Sequence, residues 1–130
     1  MEAYAATVPP VVVPPPSPEF HVKQLIEQYG SDLATSTREQ ILGTIRAESG
    51  FNPAAHNKSD PEGGAIGCAQ YLTSTFNHYA PLAGIKDLNI WDCEQQIQTM
   101  TYMFKIGEAK QWTCWRRLFR GGWVTCHKQF

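Results

Sequence analysis

The sequence has no long hydrophobic run, no excess of charge of either sign and no closely spaced pair of cysteines. No stretch approaches the ~18 continuous apolar residues of a membrane-spanning helix, so we expect no membrane span. Eleven basic and twelve acidic residues give a net charge of −1, which argues against the basic surface of a nucleic-acid-binding domain. No set of histidine, cysteine or acidic residues has ligand spacing and no nucleotide-binding loop is present, so we expect no metal and no cofactor.

The cysteines at positions 68, 93, 114 and 126 leave two interpretations open. An even count permits two disulfides in three connectivities, which would fit an oxidising compartment. The alternative is four buried thiols that act as small hydrophobic residues. Cys68 lies inside a glycine-rich turn (residues 63–70), where we interpret it as a packing residue. If Cys68 only packs, at most one bridge can form, among Cys93, Cys114 and Cys126.

Proline is concentrated at the N-terminus, where six of the nine prolines precede Glu19. This composition predicts a flexible spacer over residues 1–18 and one folded domain over residues 19–130. The segment up to Ser17 has no basic region, and prolines interrupt its apolar residues, so it does not match an intact signal peptide. Ser17 followed by Pro18 is typical of a helix start. We expect Gly30 to end that helix in a left-handed conformation.

A second predicted helix carries a carboxyl group in its apolar stripe. Ser36 and Glu39 have the spacing of a capping box at its start, and Ile41 and Ile45 mark its apolar face. At ~100° per residue, Glu48 falls on the same face. It lies at the C-terminal end, where the helix dipole is negative. Partial burial and the dipole both favour the protonated carboxyl, which is the form that a general acid uses. On geometry alone, an edge residue or an ion-pair partner is the more common role of such a glutamate.

A polar, glycine-rich region follows this helix. Gly50 is expected to end the helix. The residues Asp60-Pro61-Glu62-Gly63 are typical of a turn. The glycines that come next allow a close approach of the chain and positive φ angles. Gln70 follows them, and its amide can both donate to and accept from a sugar.

Two segments of this region together resemble the soluble lytic transglycosylase family. The first is Glu-Ser-Gly-Phe-Asn-Pro at residues 48–53. The second is Gly-Ala-Ile-Gly-Cys-Ala-Gln-Tyr-Leu at residues 64–72, followed by Thr-Ser-Thr-Phe at residues 73–76. The resemblance implies an α+β, predominantly α-helical, lysozyme-like fold. A small polar turn or β region would separate the catalytic helix from the glycine-rich turn.

The resemblance also implies the residues of the site. Glu48 corresponds to the catalytic acid/base of the family. The residues expected to bind substrate are Ser49, Asn52, Gly67, Gln70, Tyr71, Tyr102 and Trp115. The third family motif, Ala-Tyr-Asn-Ala-Gly, is absent; Tyr102 lies nearest to its place, and Trp112 or Trp115 could pack there instead.

The implied reaction is cleavage of the MurNAc–GlcNAc bond of peptidoglycan with formation of a 1,6-anhydro end, which needs Glu48 and no second carboxylate. One alternative is a hydrolytic muramidase with Asp60 or Glu62 as second carboxylate. Another is a non-catalytic glycan-binding or structural module. We expect the glycan strand of peptidoglycan as the partner, a monomeric protein, and a location in the cell envelope or outside the cell.

Overall fold

The computed structural model describes residues 17–121 and 126, in which helices predominate. Its elements are α1 (Pro18–Tyr29), α2 (Thr35–Ser49), β1 (His56–Asn57), β2 (Ala65–Ile66), α3 (Thr73–Leu82), α4 (Cys93–Lys105), a 3₁₀ turn (Ala109–Gln111) and α5 (Thr113–Phe119). The two short strands pair antiparallel, with His56 opposite Ile66. This architecture confirms the predicted α+β class with its small β region between α2 and the glycine-rich turn. The predicted spacer, apart from its last two residues, lies outside the described residues.

Helix α4 lies at the centre of the fold, in contact with α1, α2, α3 and the 3₁₀ turn. Its buried residues are Gln96, Ile97, Thr99, Met100, Thr101 and Met103. The buried threonine hydroxyls donate to backbone carbonyls of the same helix, as buried polar groups must to offset their lost hydration. None of the helices in the described residues is long and apolar enough to cross a membrane.

The helix boundaries agree only partly with the predicted signals. Ser17 caps α1 as predicted, since its Oγ accepts from the Phe20 N–H at 3.1 Å. The predicted capping box of α2 is wrong: the helix begins two residues earlier, with Ala34 at the N-cap position and no side-chain cap. Ser36 and Glu39 therefore lie inside the first turns of α2.

Two glycines end helices for different physical reasons. Gly50 has a φ of 63°, in the left-handed region, as predicted. Gly30 has a φ of −113°, so the predicted left-handed stop is wrong there. A Cβ at Gly30 would lie only 2.8 Å from the Ile26 carbonyl oxygen. Glycine is therefore needed at position 30 for space rather than for its backbone angle.

Two disulfides, Cys68–Cys93 and Cys114–Cys126, correct the prediction of at most one bridge. Cys68 is fully buried, as a packing residue would be, yet it is also bridged. The glycine-rich turn packs against the start of α4, where Cys93 is the first helical residue, and the two Cα atoms lie 5.7 Å apart. The error arose because this proximity depends on tertiary packing and not on the local pattern around Cys68.

The start of α3 is capped from a distant turn rather than by its own residues. Leu72 holds the N-cap position of α3 without a side-chain bond. Instead, the Glu62 carboxylate accepts from the Ser74 N–H at 2.8 Å and from the Ser74 hydroxyl at 2.6 Å. These bonds lower the pKa of Glu62 below its ordinary value of 4.5.

This cap predicts a pH-dependent contribution of Glu62 to stability. Because folding lowers the pKa of Glu62, its contribution is complete above about pH 4.5 and is lost as the pH falls through the lower folded value. We expect Glu62→Gln to lower the melting temperature slightly at pH 7, with the difference from wild type shrinking at pH values near 3. Thermal melts across this range check the expectation, with Glu39→Gln, an exposed change on α2, as control. An equal difference at both ends of the range would contradict it.

Candidate active site

Glu48 lies in the last turn of α2 and is almost completely buried, with 2% of its surface exposed. The backbone N–H of Cys114, in the first turn of α5, donates to Glu48 Oε2 at 3.3 Å. The negative end of α2 and the positive end of α5 therefore meet at this carboxyl group. The local sequence around Glu48 indicates only the end of α2, because α5 reaches the site through tertiary packing.

A cavity of about 240 Å³ opens beside Glu48. Three further groups of residues contribute to its lining. They are residues 60, 61 and 65 of the hairpin formed by β1 and β2, residues 70–72 and 75, and residues 111–113 at the start of α5. The hairpin, the glycine-rich turn and the start of α5 therefore converge on the carboxyl group. Such a cleft with polar groups converging on a carboxyl group is the arrangement expected of a site that acts on a polar substrate.

The glycine-rich turn presents Gln70 to this cavity. Gly67 and Gln70 both have positive φ angles, of 83° and 56°. The Gln70 Nε2 donates to the carbonyls of Ala55 at 3.2 Å and Gly67 at 2.9 Å. The Gln70 Oε1 is buried, and no residue of the described part of the chain donates to it. A buried acceptor on the wall of a cavity is suited to a ligand N–H or hydroxyl group.

Tyr71 and Trp112 form an aromatic wall of the same cavity. Their rings meet edge to face, with centroids 5.4 Å apart. The Tyr71 hydroxyl donates to the Met103 sulfur at 3.3 Å, and burial raises the pKa of Tyr71 well above its ordinary value. The Trp112 Nε1 donates to the Ala69 carbonyl at 2.8 Å. The polar atoms of both rings are thus bonded within the protein, and their rings shape the cleft.

Ser49 and Asn52 follow Glu48 but engage the protein itself. The buried Ser49 hydroxyl donates to the Cys68 carbonyl at 2.6 Å and so joins the end of α2 to the glycine-rich turn. Asn52 is exposed, and its Oδ1 accepts from the Ala54 N–H at 2.9 Å. The lining of the cavity, as far as the structure describes it, includes neither residue. Their assignment as substrate contacts stays a prediction.

The described lining of the cavity does not include the two candidates from the C-terminal half, Tyr102 and Trp115. Tyr102 packs half-buried against the core. The Trp115 Nε1 donates to Gln40 Oε1 at 3.0 Å, and the guanidinium of Arg120 lies 5.5 Å from its ring. Trp112 lines the cavity instead; whether a tryptophan takes the place of the missing third family motif stays a prediction. In the sequence, the closely spaced tryptophans after residue 110 indicate an aromatic contribution to the site, but they do not single out Trp112.

The two candidate second carboxylates occupy different places. Asp60 is half-buried and lines the cavity together with Glu48. Its Oδ2 accepts from Asn57 Nδ2 at 3.2 Å. Glu62 caps α3 and is not part of the described lining of the cavity. Only Asp60 of this pair is therefore placed to act on a ligand in the cleft.

The buried acid at the end of α2, the glycine-rich turn and the small hairpin surround one cleft, an arrangement that fits a lysozyme-like domain. The family model of phage tail lysozymes matches residues 39–117. This match covers more than half of the chain, which therefore belongs to the phage tail lysozyme family. No curated protein and no solved structure matches the chain significantly. The family supports a cell-wall or virion-associated setting and confirms the predicted lysozyme-like superfamily.

Proposed function

We propose that this domain is a lytic transglycosylase that cleaves the MurNAc–GlcNAc β-1,4 bond of peptidoglycan with Glu48 as its acid/base. The observation that carries the proposal is the placement of a buried carboxyl group at the wall of a polar cleft, beside the turn that presents Gln70. The motifs at residues 48–53 and 64–76, which resemble those of soluble lytic transglycosylases, support the choice of reaction.

The proposed reaction uses one carboxyl group twice. Glu48 first donates its proton to the glycosidic oxygen as the bond to the anomeric carbon breaks. The acetamide of the MurNAc ring stabilises the positive charge that develops at that carbon. The Glu48 carboxylate then removes the proton of the 6-hydroxyl, and this oxygen bonds to the anomeric carbon. The products are a 1,6-anhydro end and a free 4-hydroxyl, and no water is consumed.

Protein groups around Glu48 support these steps. The Cys114 N–H already donates to Glu48 Oε2, and a bond of this kind stabilises the carboxylate formed after the first proton transfer. The Gln70 Oε1 offers an acceptor for the acetamide N–H or a hydroxyl of the bound sugar. The Cys114 N–H would hold the carboxylate in place, and the Gln70 acceptor would orient a sugar ring against it.

Hydrolysis is the second candidate, and the placement of Asp60 favours it. A hydrolytic muramidase uses a second carboxylate, either as nucleophile or as the base that activates water. Asp60 lines the same cavity as Glu48 and belongs to the turn between β1 and β2. In that reaction the product would carry a reducing end instead of an anhydro ring.

Mass analysis of products from purified peptidoglycan separates the two reactions, because the two ends differ by one water. We expect anhydro ends from the wild-type protein, and Asp60→Asn should keep most of the activity. Hydrolysis would instead give reducing ends, and Asp60→Asn would then lose roughly 10²-fold or more of the rate. Glu62→Gln is the matched control, since Glu62 lies in the same turn but caps α3. Intact glycan after treatment with wild-type protein would contradict both reactions.

A further inference from the structure

We propose that Gln96, a buried residue of the central helix α4, is the positioning residue that fixes the glycine-rich turn of the active site. The inference rests on the proposed function, since its consequence is the placement of Gln70 against a glycan substrate. Gln96 is fully buried in the first turn of α4 and is not part of the described lining of the cavity. Gln96 can therefore affect the substrate only through the turn that it contacts.

The side-chain amide of Gln96 bonds to the backbone of the turn on both sides of Gly67. Its Oε1 accepts from the Ala69 N–H at 2.8 Å, and its Nε2 donates to the Ile66 carbonyl at 2.9 Å. The Nε2 also donates to the Ile90 carbonyl at 2.5 Å. Among uncharged side chains, only an amide supplies an acceptor and two donors in one plane. A carboxylate would place negative charge against two carbonyl oxygens.

Gly67 gives a second reason to connect Gln96 with the turn. A Cβ at Gly67 would overlap the amide group of Gln96. The φ of 83° at this position also disfavours other residues. The glycine of the motif thus leaves the space into which the Gln96 amide fits, and the two residues form one unit.

The fixed peptide groups lead directly to the catalytic cleft. Gln96 holds the N–H of Ala69, and Trp112 Nε1 holds the carbonyl of Ala69 at 2.8 Å. The next residue is Gln70. On the other side of Ala69, the Cys68 carbonyl accepts from Ser49, the neighbour of Glu48. A shift of the turn would therefore move Gln70 relative to Glu48.

The Cys68–Cys93 bridge makes this role testable, because it ties the turn to α4 independently of Gln96. We expect Gln96→Met to remain folded, with the turn tethered but no longer fixed in position. The rate of glycan cleavage at low substrate should fall roughly tenfold to a hundredfold, as expected when reacting groups are misplaced by about 1 Å. Gln98→Met is the matched control: it removes a side-chain bond from the same helix to the Ala83 carbonyl, away from the cleft.

A double-mutant cycle with Gln70→Ala separates positioning from a general loss of stability. If Gln96 acts by placing Gln70, Gln96→Met should have little further effect on the rate once Gln70 is replaced. Additive losses in the cycle, or equal losses in Gln96→Met and Gln98→Met, would overturn the proposal. A wild-type protein that leaves glycan intact would instead contradict the proposed function, so the two failures are distinguishable.

A second variant covers the case in which Gln96→Met fails to fold. In Gln96→Glu, a protonated carboxyl group has one acceptor and one donor and can restore the bonds to Ala69 and Ile66, whereas the ionised form cannot. We expect the rate of this variant, divided by the wild-type rate, to rise as the pH is lowered. A ratio that does not change with pH would overturn the role of the Gln96 amide.

Discussion

Glu48→Gln is expected to abolish cleavage of peptidoglycan while the fold stays nearly unchanged. Glutamine has the shape of glutamate, and its amide oxygen can still accept from the Cys114 N–H that now bonds to Oε2. It cannot transfer a proton to the glycosidic oxygen, and general acid–base catalysis contributes roughly 10²–10⁴-fold to such rates. Release of soluble fragments from purified peptidoglycan measures the loss, and a thermal melt measures the fold.

Glu39→Gln is the control for this experiment. Glu39 lies on the same helix, is exposed, and is not part of the described lining of the cavity. This variant should cleave at the wild-type rate. Residual turnover of Glu48→Gln above a few per cent of wild type would count heavily against Glu48 as the acid.

Removal of the Cys68–Cys93 bridge has the second large expected effect. The bridge joins residues 25 apart, and closing a loop of this length stabilises a folded domain by about 3 kcal/mol. Since small domains are stable by only about 5–15 kcal/mol, the loss is a large fraction of the total. We expect Cys68→Ala combined with Cys93→Ala to lower the free energy of unfolding by about this amount, measured by urea denaturation.

The bridge Cys114–Cys126 supplies the comparison, because it joins residues only 12 apart. Loop entropy predicts a somewhat smaller loss when Cys114 and Cys126 are replaced by alanine. An unchanged unfolding midpoint in the variant that lacks Cys68 and Cys93 would show that this bridge does not support the fold.

The parts of the site that could be predicted from sequence are those encoded by local patterns. Glu48 is predicted from its helical spacing after Ile41 and Ile45 together with the resemblance of residues 48–53 to a family motif. Gln70 was found because it ends a run of glycines, and the structure places both residues at one cavity. In each case, neighbours within a few residues carry the information.

The remaining parts depend on contacts between distant segments. The Cys114 N–H that bonds to Glu48 lies 66 residues further along the chain, and Trp112 bonds to the turn over 43 residues. Local patterns do not contain such pairings. The same holds for Glu62, whose role as a helix cap depends on how its turn packs against Ser74.

The disulfides also link the proposed acid to the conditions in which the chain folds. The backbone of Cys114 bonds to Glu48, and the backbone of Cys68 bonds to Ser49. Each disulfide thus contains a cysteine whose backbone forms a hydrogen bond with Glu48 or with its neighbour Ser49. A recombinant preparation made in a reducing host would contain a mixture of thiol and oxidised forms. Its specific activity would then report the completeness of oxidation as much as the chemistry of the acid.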